Sequence, residues 1–325
     1  MAVYTHLAAE DLAALIAAYD VGELVSAKGI AEGVSNSNWL IETSGKDGHG
    51  ARFILTMYER RIDTAYLPFY LGLLDHLSAR GCPVPATIHD RDGSLSREID
   101  GKSVALIEFL PGVSVDRPTP GQARAVGAAL AQLHLAVSDF PMTGVQTMGL
   151  AEWDRLINSC GHDGLAQIDP GLPEIAFGEL SHLAAEWPAG LPQGVVHCDL
   201  FPDNVLMLGD EVSGLIDFYF AAEDFFAYDL AVTHAAWSFT TDGSNYRPEI
   251  GSALIEGYRS RRSLSVSELA ELPTLARGAC MRFISSRAYD WLHTPPDALV
   301  TRKDPMAFVR RLQFYAAAGQ RPFAS

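Results

Sequence analysis

The chain has 325 residues, a formal net charge of −16, 48% apolar residues and 20% charged residues. That length supports two lobes with sizeable cores, and the composition is that of a folded chain rather than a disordered one. The acidic surplus argues against nucleic acid and anionic membranes as partners, since both recruit a basic face. No apolar run approaches the roughly 20 residues that a membrane helix needs.

The amino terminus reads M-A-V-Y-T-H-L-A-A-E-D. It lacks a basic segment followed by an apolar one, so no secretory signal is expected. Cys82, Cys160, Cys198 and Cys280 form no C-x-x-C pair and no metal-ligand cluster. Both features point to a cytoplasmic protein.

From about Leu7 to Tyr19 an Ala/Leu-rich stretch has helical spacing. Three strands are expected next, at Leu24 to Ala31, Ser37 to Thr43 and Arg52 to Tyr58, with the Gly-rich turn S-G-K-D-G-H-G before the third. Leu67 to Arg80 has helical period and stops at Gly81. Short strands are expected at Thr87 to His89, Ser94 to Ile99 and Lys102 to Phe109. Leu110-Pro111-Gly112 then marks a change from strand-rich to helical character. Helices are expected over Gly121 to Val137, Ala151 to Asn158, Glu174 to Glu186, Ala227 to Phe239, Pro248 to Arg259, Val266 to Leu292 and Pro305 to Ala318. The expected fold is α+β, with a small strand-rich N-lobe (residues 1–110) and a larger, mostly helical C-lobe (residues 111–325).

One segment carries chemistry. V-V-H-C-D-L-F-P-D-N-V-L-M, Val195 to Met207, is followed by L-I-D-F, Leu215 to Phe218. His197, Asp199 and Asn204 fit H-x-D-L-x-x-x-N, and Asp217 ends a later apolar run. In phosphoryl transfer the first Asp takes the proton of an attacking hydroxyl, while the Asn and the later Asp hold magnesium on the phosphates. Mg2+ wants hard oxygen ligands, few of them from protein, and one Asn with one Asp suits that need. On a strand, His197 would point to the same side as Asp199 and pin the loop. Taken singly, an Asp in a loop or an Asn at a helix start is unremarkable; the joint spacing between apolar strands is the signal.

At these residues the chain resembles the aminoglycoside phosphotransferase and choline kinase superfamily, and within it the homoserine kinase family more closely. The resemblance extends to E-G-V-S-N-S-N-W (Glu32 to Trp39), F-I-L-T-M-Y-E-R-R (Phe53 to Arg61), L-P-F-Y-L-G-L-L-D-H-L (Leu67 to Leu77) and M-R-F-I-S-S-R-A-Y-D-W (Met281 to Trp291). It implies a two-lobed, protein-kinase-like fold. It also implies ATP-dependent phosphorylation of the side-chain hydroxyl of L-homoserine, on the route to threonine. Asp199, Asn204 and Asp217 match the family pattern, and Asp229 in Y-D-L-A matches the Asp that braces the catalytic loop.

The N-lobe departs from the kinase pattern. In place of G-x-G-x-x-G the loop runs G-V-S-N-S-N, Gly33 to Asn38, whose amides and Ser35 and Asn36 side chains offer phosphate contacts. Thr56 stands near the position of the expected lysine, and Arg60 or Arg61 either supplies that charge or simply leaves the strand into solvent. Ile107 to Leu110 is the hinge candidate, with the backbone of Glu108 and Leu110 facing an adenine edge.

An amino-acid substrate needs a cation for its carboxylate. Arg282 and Arg287 on the late helix are candidates, although five residues apart they do not share a face; salt bridges within the helix layer are the alternative. Tyr219, close after Asp217, is the aromatic expected at the substrate; Trp237 and the neighbouring phenylalanines are expected in the core. Two other readings stay open at this point: a kinase of another small alcohol (aminoglycoside, choline, ethanolamine or sugar) and a nucleotide-binding pseudokinase.

Overall fold

The computed structural model describes residues 7–30, 36–58, 63–295 and 302–324. The chain divides into two compact units, Met1–Pro111 and Gly112–Ser325. No helix among the described residues is long and apolar enough to cross a membrane.

In the first unit, helix α1 (Ala9–Ala17) buries Leu12, Leu15 and Ile16, a spacing that places all three on one face. Strands β1 (Leu24–Ile30), β2 (Asn36–Thr43) and β3 (Ala51–Tyr58) form an antiparallel meander, followed by helix α2 (Leu67–Ala79). Strands β4 (Thr87–Ile88), β5 (Arg97–Ile99) and β6 (Lys102–Glu108) complete the sheet, in the order β1-β2-β3-β6-β4 with β5 also on β6. The period of two sends Trp39, Ile41, Leu55, Met57, Val104 and Leu106 to one face, where they pack with α1. Asn38 and Thr56, paired across β2 and β3, take the other face. In the turn between those strands Gly45, Gly48 and Gly50 all have φ near +70°, which explains its glycine content.

The strands expected at Thr87 to His89 and Ser94 to Ile99 are shorter than their β-branched content suggests. Asp90 captures the turn between them: its Oδ1 accepts from the amides of Asp92 (2.9 Å) and Ser94 (2.8 Å), and its Oδ2 pairs with Arg97 at 2.5 Å. A side chain that satisfies backbone donors locally competes with the ladder.

The second unit holds helices α3 (Pro120–Ala136), α4 (Leu150–Ile168) and α5 (Leu172–Glu186), then short strands β7 (Gln193–Val196), β8 (Val205–Leu208), β9 (Glu211–Leu215) and β10 (Ala222–Phe225). Helices α6 (Phe226–Trp237), α7 (Pro248–Arg259), α8 (Val266–His293) and α9 (Met306–Ala318) follow. β7 pairs with β10 and β8 with β9, both antiparallel. α3 begins at a capping box between Thr119 and Gln122. α4 runs ten residues beyond the expected end at Asn158; Gly161 (φ +65°) kinks it, and the polar run C-G-H-D-G around the kink hides the continuation.

α6 is buried on every side from Ala227 to Trp237, the mark of a central core helix. α3 and α7 meet through glycines: a methyl group on Gly127 would overlap the Leu254 carbonyl, and one on Gly257 the Arg124 carbonyl. Gly257→Ala is therefore expected to push α3 and α7 apart and lower stability by about 1–3 kcal/mol. The check is a shift in urea midpoint at unchanged slope.

Candidate active site

The site is built around the turn that follows β7. Asp229, fully buried on α6, accepts hydrogen bonds from the backbone N–H of His197 (2.7 Å) and of Cys198 (2.8 Å). His134 on α3 adds a third bond at 3.0 Å, and its other ring nitrogen lies 2.7 Å from the Tyr258 hydroxyl on α7. Burial holds His134 neutral, below its ordinary pKa, despite the pull of Asp229. A neutral ring that bonds a carboxylate must donate from Nε2, so Nδ1 accepts from Tyr258. Burial alone would raise the Asp229 carboxyl, but the His134 hydrogen bond and the backbone N–H of His197 outweigh it and hold the acid below the usual range.

Cys198, between His197 and Asp199, has φ +60°. Only Asp100, Cys198 and Asp217 combine a side chain with positive φ among the described residues, and two of these flank this site. The left-handed Cys198 breaks the alternation expected of a strand. β7 ends at Val196, and His197 turns inward rather than standing beside Asp199. Its neutral ring accepts from the Asp199 amide at Nδ1 (3.2 Å) and donates from Nε2 to the Ile216 carbonyl (3.0 Å). His197 thus ties the Asp199 turn to the segment that carries Asp217, as a positioning residue shielded from solvent.

Asn204 closes a short turn after Phe201. Its Nδ2 donates to the Asp199 carbonyl (2.7 Å) and to Asp199 Oδ2 (3.2 Å), so Oδ1 is the atom of the carboxamide that could hold a cation. The Ile216 N–H bonds the Asn204 carbonyl at 3.0 Å, continuing the β8–β9 pairing and bringing Asp217 to the same end of the hairpin. Trp237, a core residue as expected, also donates its indole N–H to the Leu200 carbonyl (2.9 Å) and so supports the turn from α6.

The two carboxylates of the site are poorly compensated. Burial pushes Asp199 up to about 7, opposed by Arg282 and Lys303 and reinforced by Asp217 and Asp203. Asp217 keeps an exposed edge, yet desolvation by the surrounding protein and then Asp203 push it up to about 6, against Lys303 and the Tyr219 N–H. An amide oxygen and a carboxylate in an electron-rich corner fit a hard dication. Among the described residues no group of three or more His, Cys, Asp or Glu is arranged to hold a metal.

The nucleotide-side expectations divide. Ser35 and Arg60 lie outside the described residues. Asn36 opens β2 rather than ending a loop; it is buried, and its Oδ1 has no partner among the described residues. Thr56, where a lysine was expected, is buried and donates to Asn38 Oδ1 (2.8 Å), so the strand offers a neutral pair in place of a cation. Glu108 ends β6; its N–H is taken by the Ala86 carbonyl (2.9 Å) and its carboxylate accepts the Ala86 N–H (3.2 Å), so a hinge role would fall to its backbone carbonyl. Leu110 lies two residues past that ladder.

On the substrate side, Tyr219 is half-buried directly after Asp217 and Phe218. Arg282 is turned inward, 2% exposed, and donates to the Cys198 carbonyl. Arg287 is half-buried over the Phe308 ring (4.6 Å) and donates to the Asp304 carbonyl (3.2 Å). The sequence reading missed His134 and Tyr258. A histidine on the apolar face of a helix gives no sign of whether it is ordinary core or, as here, the brace of a distant carboxylate.

A carboxylate on a turn held at positive φ, followed by a carboxamide and a second carboxylate, is the arrangement expected of a phosphotransferase of kinase-like architecture. The sequence pattern of the phosphotransferase enzyme family (APH) matches residues 26–264. The homoserine kinase of Rhizobium etli (strain CIAT 652) is 46% identical over 319 residues, 98% of this chain and 97% of that protein. The homoserine kinase of Xanthobacter autotrophicus is 48% identical over 318 residues, with the same coverage. Among solved structures, amicoumacin kinase hAmiN in complex with AMP-PNP, Ca2+ and Ami matches with a TM-score of 0.70 at 16% identity, over 96% of this chain and 94% of that one. Spectinomycin phosphotransferase APH(9)-Ia with ADP and spectinomycin matches with a TM-score of 0.70 at 15% identity, over 97% and 100%. These structures share the fold. The chain belongs to the phosphotransferase enzyme family and, within it, to the homoserine kinases.

Proposed function

We propose that this enzyme transfers the γ-phosphoryl group of ATP to the side-chain hydroxyl of L-homoserine, giving O-phospho-L-homoserine on the route to threonine. The observation that carries the acceptor is the 46–48% identity to homoserine kinases along almost the whole chain. Asp199 takes the proton of the attacking hydroxyl; the oxygen forms the new P–O bond as the bond to the β,γ-bridging oxygen breaks, and ADP leaves. A base with a pKa of about 7 is matched to that task at neutral pH. Asn204 Oδ1 and Asp217 are the ligands for Mg2+, which when bound neutralises phosphate charge. Asp217→Ala is expected to abolish magnesium-dependent nucleotide binding, and calorimetry showing normal MgATP affinity would contradict that role.

Arg287 is the residue for the substrate carboxylate. Burial and then neighbouring Arg311 pull it down to about 10, the state of a cation short of counter-charge, and a carboxylate supplies what is missing. Tyr219, next to the magnesium ligand, borders the acceptor. Arg287→Met is expected to raise KM for homoserine about 10–100-fold, the worth of a charged hydrogen bond, at unchanged KM for MgATP. A panel of homoserine, choline, ethanolamine and an aminoglycoside tests the assignment itself. If another alcohol outcompetes homoserine, the acceptor is wrong; if none stimulates ADP release, the kinase reading falls.

A further inference from the structure

We infer that Arg282 is the positioning residue of the catalytic carboxylate, acting by clamping the strained Cys198 at its carbonyl while Asp229 holds its N–H. The inference rests on the reading of Asp199 as the base. Cys198 is the residue whose backbone torsions aim Asp199, and it sits in the left-handed region at φ +60°. Such a conformation persists in a residue with a side chain only where the surroundings over-determine it.

Both ends of this residue are held by buried charge. The carboxylate of Asp229, on α6, takes its N–H and that of His197. The guanidinium of Arg282, on α8, donates Nη1 to its carbonyl oxygen. Arg282 is itself fixed between two aromatic faces, with its guanidinium carbon 4.8 Å from the Phe220 ring centre and 4.9 Å from that of Phe283. Its Nη2 stands 3.8 Å from Asp199 Oδ1, too far for a hydrogen bond but close enough to orient the carboxylate. One guanidinium therefore fixes the peptide before the base and faces the base itself, a geometry suited to a planar fork and not to a point charge. An arginine this enclosed is poorly placed as a landing site for a substrate carboxylate.

Substitution should therefore act on turnover and leave binding alone. Arg282→Met is expected to lower kcat about 100-fold, the scale for a displaced catalytic group, with KM for homoserine and MgATP changed by less than about threefold; Arg282→Lys should recover part of the loss. The decisive comparison adds a second change. Glycine adopts positive φ without penalty and alanine does not, so Cys198→Gly in the Arg282→Met background should restore turnover about tenfold, whereas Cys198→Ala should not. Should Arg282→Met fail to fold, judged by MgATP calorimetry, the same Gly/Ala comparison is read in Arg282→Lys.

Equal effects of glycine and alanine would overturn the clamp. So would a rise in KM for homoserine at constant kcat, with 3-amino-1-propanol, which lacks the carboxylate, turned over as in the wild type; that pattern would make Arg282 a substrate ligand. Failure of the underlying base assignment shows separately, as retained turnover in Asp199→Asn.

Discussion

Asp199→Asn is expected to lower turnover by about 10²–10⁴-fold, the range for loss of a general base, while MgATP still binds. The carboxamide keeps the shape and can still accept from Asn204 Nδ2, which lies 3.2 Å from Asp199 Oδ2, but it cannot take a proton. Rapid-quench measurement of the first turnover, beside calorimetry for MgATP, separates the two effects. Wild-type turnover unchanged in this variant would place the base elsewhere.

The same substitution is expected to stabilise the fold. Burial raises Asp199 to about 7, against an ordinary value near 4. A carboxyl raised in the folded state binds more protons there than in the unfolded chain, so stability declines as pH rises from about 4 to about 7. Above about pH 7 the full penalty of the buried charge is present, and asparagine removes it. Asp199→Asn should thus melt higher than the wild type at pH 8, with the gap closing as pH falls toward 4. The active site would then hold an unfavourable charge for the sake of its chemistry, a trade between stability and activity.

Most of the frame was legible because it follows local rules. The meander β1–β3 was marked by its β-like runs and its Gly-rich turn, α2 by its glycine stop, and α7 and α8 by their helical spacing. The candidate site residues His197, Asp199, Asn204 and Asp217 stood out by their spacing. What spacing cannot give is backbone conformation. The left-handed Cys198 decides that His197 faces inward while Asp199 stays partly open, and a cysteine gives no sign of positive φ. Burial partners drawn from distant elements were equally hidden. Arg282 reads as a cation on a helix, and only tertiary packing sets it under the Cys198 carbonyl. The same holds for His134, which reaches Asp229, and for Tyr258, which bonds the other ring nitrogen of His134 where α3 and α7 touch through Gly127 and Gly257.

Asp229 should respond in the opposite sense to Asp199. Asp229→Ala leaves the N–H groups of His197 and Cys198 and the His134 Nε2–H without their acceptor in an interior closed to water. Removing one side of a buried, charge-assisted network costs about 3–5 kcal/mol, so the alanine variant is expected to be close to unfolding. Asp229→Asn keeps one acceptor oxygen and should lose less. The acid is held below its ordinary range in the folded state, so its stabilisation is present above about pH 4 and is lost as pH falls below that. Urea midpoints of the wild type and Asp229→Asn should therefore differ widely at pH 7 and draw together as pH falls below about 4. A gap that is constant with pH would mean that the negative charge of Asp229 is not what holds the turn. Both asparagine variants should lose turnover, one by losing the base and the other by losing the peptide that aims it. The melting temperature at pH 8 should rise in Asp199→Asn and fall in Asp229→Asn, which separates a carboxylate kept for reaction from one kept for structure.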